Sequence, residues 1–136
     1  DHRDLHSFPT RRSSDLGRLE FLQAVPSVAE PGGVSNSGAD LHLAPDGRFL
    51  YVSNRGQNSI TVFSVQADGT LQLVQAVGCG GRTPRNFALD PTGGWVLVGN
   101  QDSDSIAVFK RDVQSGRLAL ENKAFAPTPV SLLFRA

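Results

Sequence analysis

Five side chains in this sequence are of types that hold an anion or move a proton: His42, Arg55, Arg85, Asn100 and Gln101. A guanidinium presents a planar fork of N–H donors that suits a carboxylate or phosphate, and it stays charged at any ordinary pH. Imidazole changes its charge near neutrality, so His42 is the candidate for proton transfer. Asn100 and Gln101 offer neutral donors and acceptors to the rest of a polar ligand. Each residue also has a structural reading. Arg55 could pair with Asp102 or Asp104 as an ordinary surface ion pair. A single histidine within a strand also serves as a hydrogen-bonded core residue. Asn54 and Asn100 recur at one position of a repeat, which favours caps made by side chain–backbone bonds. Arg82 lies in Gly78-Cys79-Gly80-Gly81-Arg82-Thr83-Pro84-Arg85 and reads as a loop anchor, although such a glycine-rich backbone can also approach an anion.

Composition removes several kinds of chemistry. Thirteen basic and thirteen acidic residues cancel, so there is no electrostatic footprint for nucleic acid or an anionic membrane. Apolar runs extend over only a few residues, and no transmembrane helix is expected. Cys79 is the single cysteine, which excludes an internal disulfide and a multi-cysteine zinc site, and no base adjoins it in sequence. Asp102-x-Asp104 looks like part of a calcium loop but lacks the glycine and distant glutamate of one. There is no G-x-S-x-G elbow, P-loop or dinucleotide fingerprint, and neither a metal nor a cofactor is called for.

The elements that must position the five residues follow from a repeat. Leu43-Ala44-Pro45-Asp46-Gly47-Arg48-Phe49-Leu50-Tyr51-Val52-Ser53-Asn54 aligns with Leu89-Asp90-Pro91-Thr92-Gly93-Gly94-Trp95-Val96-Leu97-Val98-Gly99-Asn100 at an offset of 46. Ser59-Ile60 and Val62-Phe63 continue onto Ser105-Ile106 and Val108-Phe109. Repeats of this length with short strands and 14 glycines mark the blades of a β-propeller. Turn residues cut the first unit into strands a to d at Leu41–Ala44, Phe49–Ser53, Ile60–Val65 and Leu71–Val77. The second divides into Asn86–Leu89, Trp95–Val98, Ile106–Lys110 and Leu118–Ala124. Gly17-Arg18-Leu19 begins the d strand of an earlier unit, and Thr128-Pro129-Val130 heads the a strand of a later one. The expected fold is therefore all-β: two complete four-stranded antiparallel blades with a flanking strand at each end. Phe49-Leu50-Tyr51-Val52 is apolar on both faces, as a strand between two other blades must be. The b–c and d–a connections are the longer and more polar ones. They share one end of the blades, and connectivity alone places Arg55, Arg82, Arg85, Asn100 and Gln101 on one rim.

Asp1-His2-Arg3-Asp4-Leu5-His6-Ser7-Phe8-Pro9-Thr10-Arg11-Arg12-Ser13-Ser14-Asp15-Leu16 stands apart. It has neither helical nor strand periodicity, and it agrees at all sixteen positions with the in-frame translation of a sequencing-library adapter. Residues 1–16 are expected to be adapter-derived and disordered, and residues 17–136 to be the folded part.

Leu41 to Gly56, then Pro84 to Pro91, then Asn100 to Asp104 closely resemble the C-terminal blades of the 6-phosphogluconolactonase-like lactonases. That resemblance implies a seven-bladed propeller of which this chain carries two blades, the others being missing. It implies hydrolysis of a sugar δ-lactone, phosphorylated or carboxylated, in the cytoplasm, with no cofactor. On it, His42 and Arg55 are the catalytic candidates, and Arg85, Asn100 and Gln101 bind substrate. Because blades are missing, the fragment itself is expected to be inactive. Two alternatives stay open: a carboxymuconate-type lactone-forming cycloisomerase, and a non-catalytic propeller of the kind that Tyr51-Val52-Ser53-Asn54 also fits.

Overall fold

A computed structural model describes residues 7–13, 19–28 and 35–135. The strands run in the order β1 Ser7–Ser13, β2 Leu19–Pro26, β3 Ser37–Leu43, β4 Phe49–Arg55, β5 Ser59–Val65, β6 Leu71–Gly78, β7 Pro84–Leu89, β8 Trp95–Asn100, β9 Ser105–Arg111 and β10 Leu118–Phe125. β3-β4-β5-β6 and β7-β8-β9-β10 form two antiparallel four-stranded meanders, and β1 pairs with β2. These are the two expected blades. Among the described residues the one helical element is a 3-10 turn, Gln101–Ser103, so no helix is long and apolar enough to cross a membrane.

Local chemistry makes the turns. The Gly47 amide donates to Ala44 O at 2.9 Å, closing the Pro45-Asp46 turn with Gly47 at φ +74°. Gly69 closes the β5–β6 turn at φ +88°, a conformation that costs glycine nothing.

Packing follows from the alternation in β4. Phe49 and Tyr51 face the second blade, in a core with Ile60, Phe87, Val96 and Phe109. Leu50 and Val52 face the other way, packing with Phe63, Leu71 and the partly buried Val25 of β2. The strand is thus covered on both sides, as its apolar run requires.

Polar bonds stitch both interfaces. Asn54 and Asn100, the near-last and last residues of their b strands, are both buried. Asn54 Nδ2 donates to Ser27 O at 2.9 Å, and Asn100 Nδ2 donates to Cys79 O at 3.0 Å. Each therefore caps the carbonyl just past the preceding d strand. At the opposite end, the buried Arg111 donates from Nε to the Tyr51 hydroxyl, which in turn donates to Gly116 O at 2.6 Å.

Two expectations are corrected. The C-terminal a strand does not form, because residues 126–135 make no ladder. Only its head is in place: Thr128 takes the left-handed φ of its counterpart Thr83 (+43° and +60°), and its amide donates to Asp104 Oδ1 at 2.8 Å. Secondly, Ser7–Ser13 of the segment expected to be disordered forms β1, registered from Ser7↔Pro26 to Ser13↔Leu19. Such pairing needs only the N–H and C=O groups along an otherwise open β2 edge, not a side-chain period. Residues 1–6 and 14–16 lie outside the described residues.

Candidate functional site

The a strands, β3 and β7, each contain a bulge near their start. In β3 the register passes from Gly38↔Asn54 to Leu41↔Val52, and in β7 from Pro84↔Asn100 to Asn86↔Gly99. A bulge bends its strand and re-aims the adjacent side chains. Here it sends Asp40, and its counterpart Asn86 one repeat later, towards their neighbours along the ring.

The result is a cluster on the inner strands. Asp40 Oδ2 accepts from His42 Nε2 at 3.0 Å, from Asn86 Nδ2 at 2.7 Å and from the Phe87 amide at 3.3 Å. Its Oδ1 accepts from the Leu41 amide at 3.0 Å. Asn86 Oδ1 in turn accepts from the Leu132 amide at 2.6 Å. The His42 ring stands edge-on to Phe87, with centroids 4.8 Å apart at 80°. It remains 41% exposed at the wall of a cleft of about 370 Å³, which Leu43, Leu89, Asp90, Leu132 and Phe134 also line. Burial pushes the Asp90 carboxyl up, but bonds from the Thr92 hydroxyl and the Trp95 amide outweigh it and hold the group below the usual carboxylate range.

The rim holds the two arginines. Arg55 ends β4 opposite Ser37, and Arg85 occupies the bulge of β7, so both emerge at the end where the a strands begin. Among the described residues neither pairs with a carboxylate. Arg55 makes one long bond, Nη2 to Gly38 O at 3.4 Å, while its Nε is buried without a partner. Arg85 is exposed and reaches Gln101 Oε1 at 3.4 Å. The acids that could have neutralised Arg55 are engaged in their own loops. Asp102 accepts from the Thr83 hydroxyl at 2.5 Å, and Asp104 caps the Thr128 amide. Arg82 anchors its loop by donating to Asp102 O at 2.9 Å.

The structure thus brings Arg85 and Gln101 together, with Arg55 on the same rim. His42 stands apart from them. It lies opposite Tyr51, four residues along β4 from Arg55 and hence roughly 13 Å away at a strand's rise per residue. Asn100 is not on the rim surface at all. It is fully buried, with Nδ2 serving as an inter-blade cap on Cys79 O and Oδ1 without a partner among the described residues, so the structural reading of Asn100 has a bond to show for it. Asp40 and Asn86 are the residues the sequence reading did not single out. Their shared position in the repeat was the available signal. Cys79 is buried, with its thiol donating to Gly81 O, and burial pushes its ionisation up. Among the described residues no three His, Cys, Asp or Glu side chains gather to hold a metal ion.

Residues 6–134 match the family described as "Lactonase, 7-bladed beta-propeller". A 6-phosphogluconolactonase of Formosa agariphila is 45% identical over 105 residues, covering 75% of this chain and 30% of that protein. One of Bacillus subtilis is 37% identical over 120 residues, covering 87% and 34% respectively. The solved structure of a periplasmic gluconolactonase from Pseudomonas aeruginosa superposes with a TM-score of 0.90 at 36% identity, covering 97% of this chain and 37% of that one. The chain spans about a third of the length of the curated relatives it matches.

Proposed function

Because this chain belongs to the seven-bladed lactonase propeller family, we propose that its parent hydrolyses the δ-lactone of an anionic sugar acid, 6-phosphogluconolactone being the leading substrate. The observation that carries this reading is Arg55: a rim guanidinium with no carboxylate beside it among the described residues and a buried Nε still seeking an acceptor. A buried donor without a partner is costly unless a ligand completes it. A phosphate or carboxylate does so, and Arg85 stands on the same rim to share the charge. Relatives named 6-phosphogluconolactonase support lactone opening over lactone formation.

The chemistry asks for an anion clamp at one end of the substrate and a proton carrier at the carbonyl end. Arg55 lies opposite Ser37, and the Asp40 amide donates to the Ser53 hydroxyl, two residues further along β4. The clamp and the Asp40–His42 pair are therefore offset by roughly 7 to 13 Å along the strand, a distance a phosphorylated six-carbon lactone can bridge with the arginine side chain leaning inward. Gln101, beside Arg85, supplies a neutral contact. The blades outside this chain contribute the rest of the pocket. A phosphate ester does not cross a bilayer unaided, so a phosphorylated substrate puts the parent in the cytoplasm.

The test is turnover by the complete parent of 6-phosphogluconolactone, of unphosphorylated gluconolactone and of a carboxymuconate. At least a tenfold preference in kcat/KM for the phosphorylated lactone is expected. Equal use of the neutral lactone, or activity on the muconate alone, overturns the proposal.

A further inference from the structure

The four donors around Asp40 define what that residue can do. An ionised carboxylate has about four lone-pair sites. Here His42 Nε2, Asn86 Nδ2 and the Phe87 amide converge on Oδ2, and the Leu41 amide takes one site on Oδ1. Oδ2, the oxygen that meets His42, therefore has its lone pairs engaged, and a carboxylate can act only as an acceptor. Because it only accepts, the proton it shares with the imidazole must sit on Nε2 of His42. Neutral His42 then carries its lone pair on Nδ1, an atom with no partner among the described residues, on a ring that lines the cleft. The volume of that cleft, about 370 Å³, is in the range that holds a small molecule.

We propose that Asp40 is a positioning residue that locks His42 in the Nε2–H tautomer, leaving Nδ1 as the general base and then the general acid of lactone hydrolysis. Asn86 holds Asp40 in place from the next blade. The proposal rests on the lactonase reading for its substrate, but the tautomer does not depend on it. In the reaction, Nδ1 removes a proton from water as the water oxygen bonds to the lactone carbonyl carbon. Collapse of the tetrahedral adduct breaks the bond from that carbon to the ring oxygen, and the imidazolium returns the proton to the departing oxygen. One water is consumed, and the product is the open hydroxy acid. Negative charge at Asp40 stabilises the imidazolium while it lasts, the role a buried aspartate plays beside a catalytic histidine elsewhere.

The charged and titratable groups around His42 are few. Its own strand supplies Asp40, and the turn after β7 supplies Asp90 across the cleft. β4 places Tyr51 opposite it, with that hydroxyl held by Arg111 and Gly116. β7 contributes the neutral Asn86 and Phe87, and the tail contributes Leu132, Leu133 and Phe134.

The experiment combines nitrogen-15 NMR of His42 with the pH profile of kcat, both on the complete parent. Wild-type His42 should show the Nε2–H tautomer when neutral, a measurement that needs neither a variant nor a substrate. Asp40→Asn should lower kcat by about a hundredfold or more, with KM changed less than about threefold and the pH limb assigned to His42 displaced. A wild-type spectrum showing Nδ1–H, or an Asp40→Asn enzyme with unchanged kcat and pH limb, overturns the proposal. If the parent turns over no lactone while His42 is Nε2–H, the positioning role stands and the substrate reading fails. Turnover by His42→Ala at the wild-type rate does the reverse.

Discussion

Replacing Arg55 by alanine separates a ligand contact from a structural one. Within the protein Arg55 has little to lose. Its single bond, to Gly38 O, is 3.4 Å long, at the outer limit of a hydrogen bond, and its Nε is already buried and unpaired. Removing such a group forfeits almost no net bonding and relieves an unsatisfied donor, so unfolding free energy should stay within about 0.5 kcal/mol of wild type. Towards an anion the loss is larger. A hydrogen bond to a charged group contributes about 1.5–3 kcal/mol, and each 1.4 kcal/mol is tenfold. KM for 6-phosphogluconolactone should therefore rise about ten- to hundredfold, while KM for unphosphorylated gluconolactone stays within about threefold. Arg55→Lys should recover part of the affinity, since it keeps the charge but not the planar fork. Initial rates of acid release in the complete parent, with urea melts of the same preparations, give both quantities. A variant that is more than about 2 kcal/mol less stable yet binds the phosphorylated lactone normally would show that Arg55 is scaffold, and the clamp would be wrong.

The inter-blade caps should differ in cost. Asn100→Ala leaves Cys79 O without its donor and should destabilise the parent by about 1–3 kcal/mol, whereas Asn54→Ala should cost less, because Thr61 also donates to Ser27 O at 2.7 Å. A reversed ranking in urea melts would count against this account. Burial pushes the Tyr51 hydroxyl above its ordinary value of 10.0, with Arg111 acting the other way. The folded state then holds this proton more tightly than the unfolded chain, so its contribution is complete below pH 10 and is lost as pH rises above 10 through the folded value. Tyr51→Phe should make melting temperature less steep above that pH, and an unchanged slope would refute the assignment. The isolated 136-residue chain should self-associate and turn over no lactone. On β8, Val96 and Val98 face the first blade, which leaves Leu97, paired with Val108, and the 40%-exposed Trp95 on a face with no third blade. Sedimentation showing a cooperatively melting monomer would contradict this.

The periodic part of the structure was the legible part. Turn residues and apolar alternation placed β4, β5, β6, β8, β9 and β10 to within about two residues, because those strands carry their own pattern. The sequence pattern starts β3 at Leu41, whereas the strand starts at Ser37, since Ser37-Gly38-Ala39 has no strand preference and is ordered by pairing with β4. That shortfall hid Asp40. Connectivity put Asn100 on the rim, but it could not distinguish a polar side chain turned inward to a carbonyl from one turned out to a ligand. Its recurrence with Asn54 was the better guide. Thr128-Pro129 repeated the sequence of Thr83-Pro84 and, at the threonine, its left-handed backbone, yet a strand also needs a partner with which to pair, and no sequence period supplies one.

Asp40 and Asn86 are 46 residues apart and bonded to each other, and each accepts from an amide of the following repeat, Phe87 for Asp40 and Leu132 for Asn86. The backbone offers the same seat in both repeats, occupied once by an acid and once by its amide. Aspartate and asparagine are nearly the same size, so exchanging them alters charge while leaving the scaffold's shape alone. In a ring built by duplication, a single-codon change at such a seat suffices to give one copy a charge and leave its sibling a neutral strut.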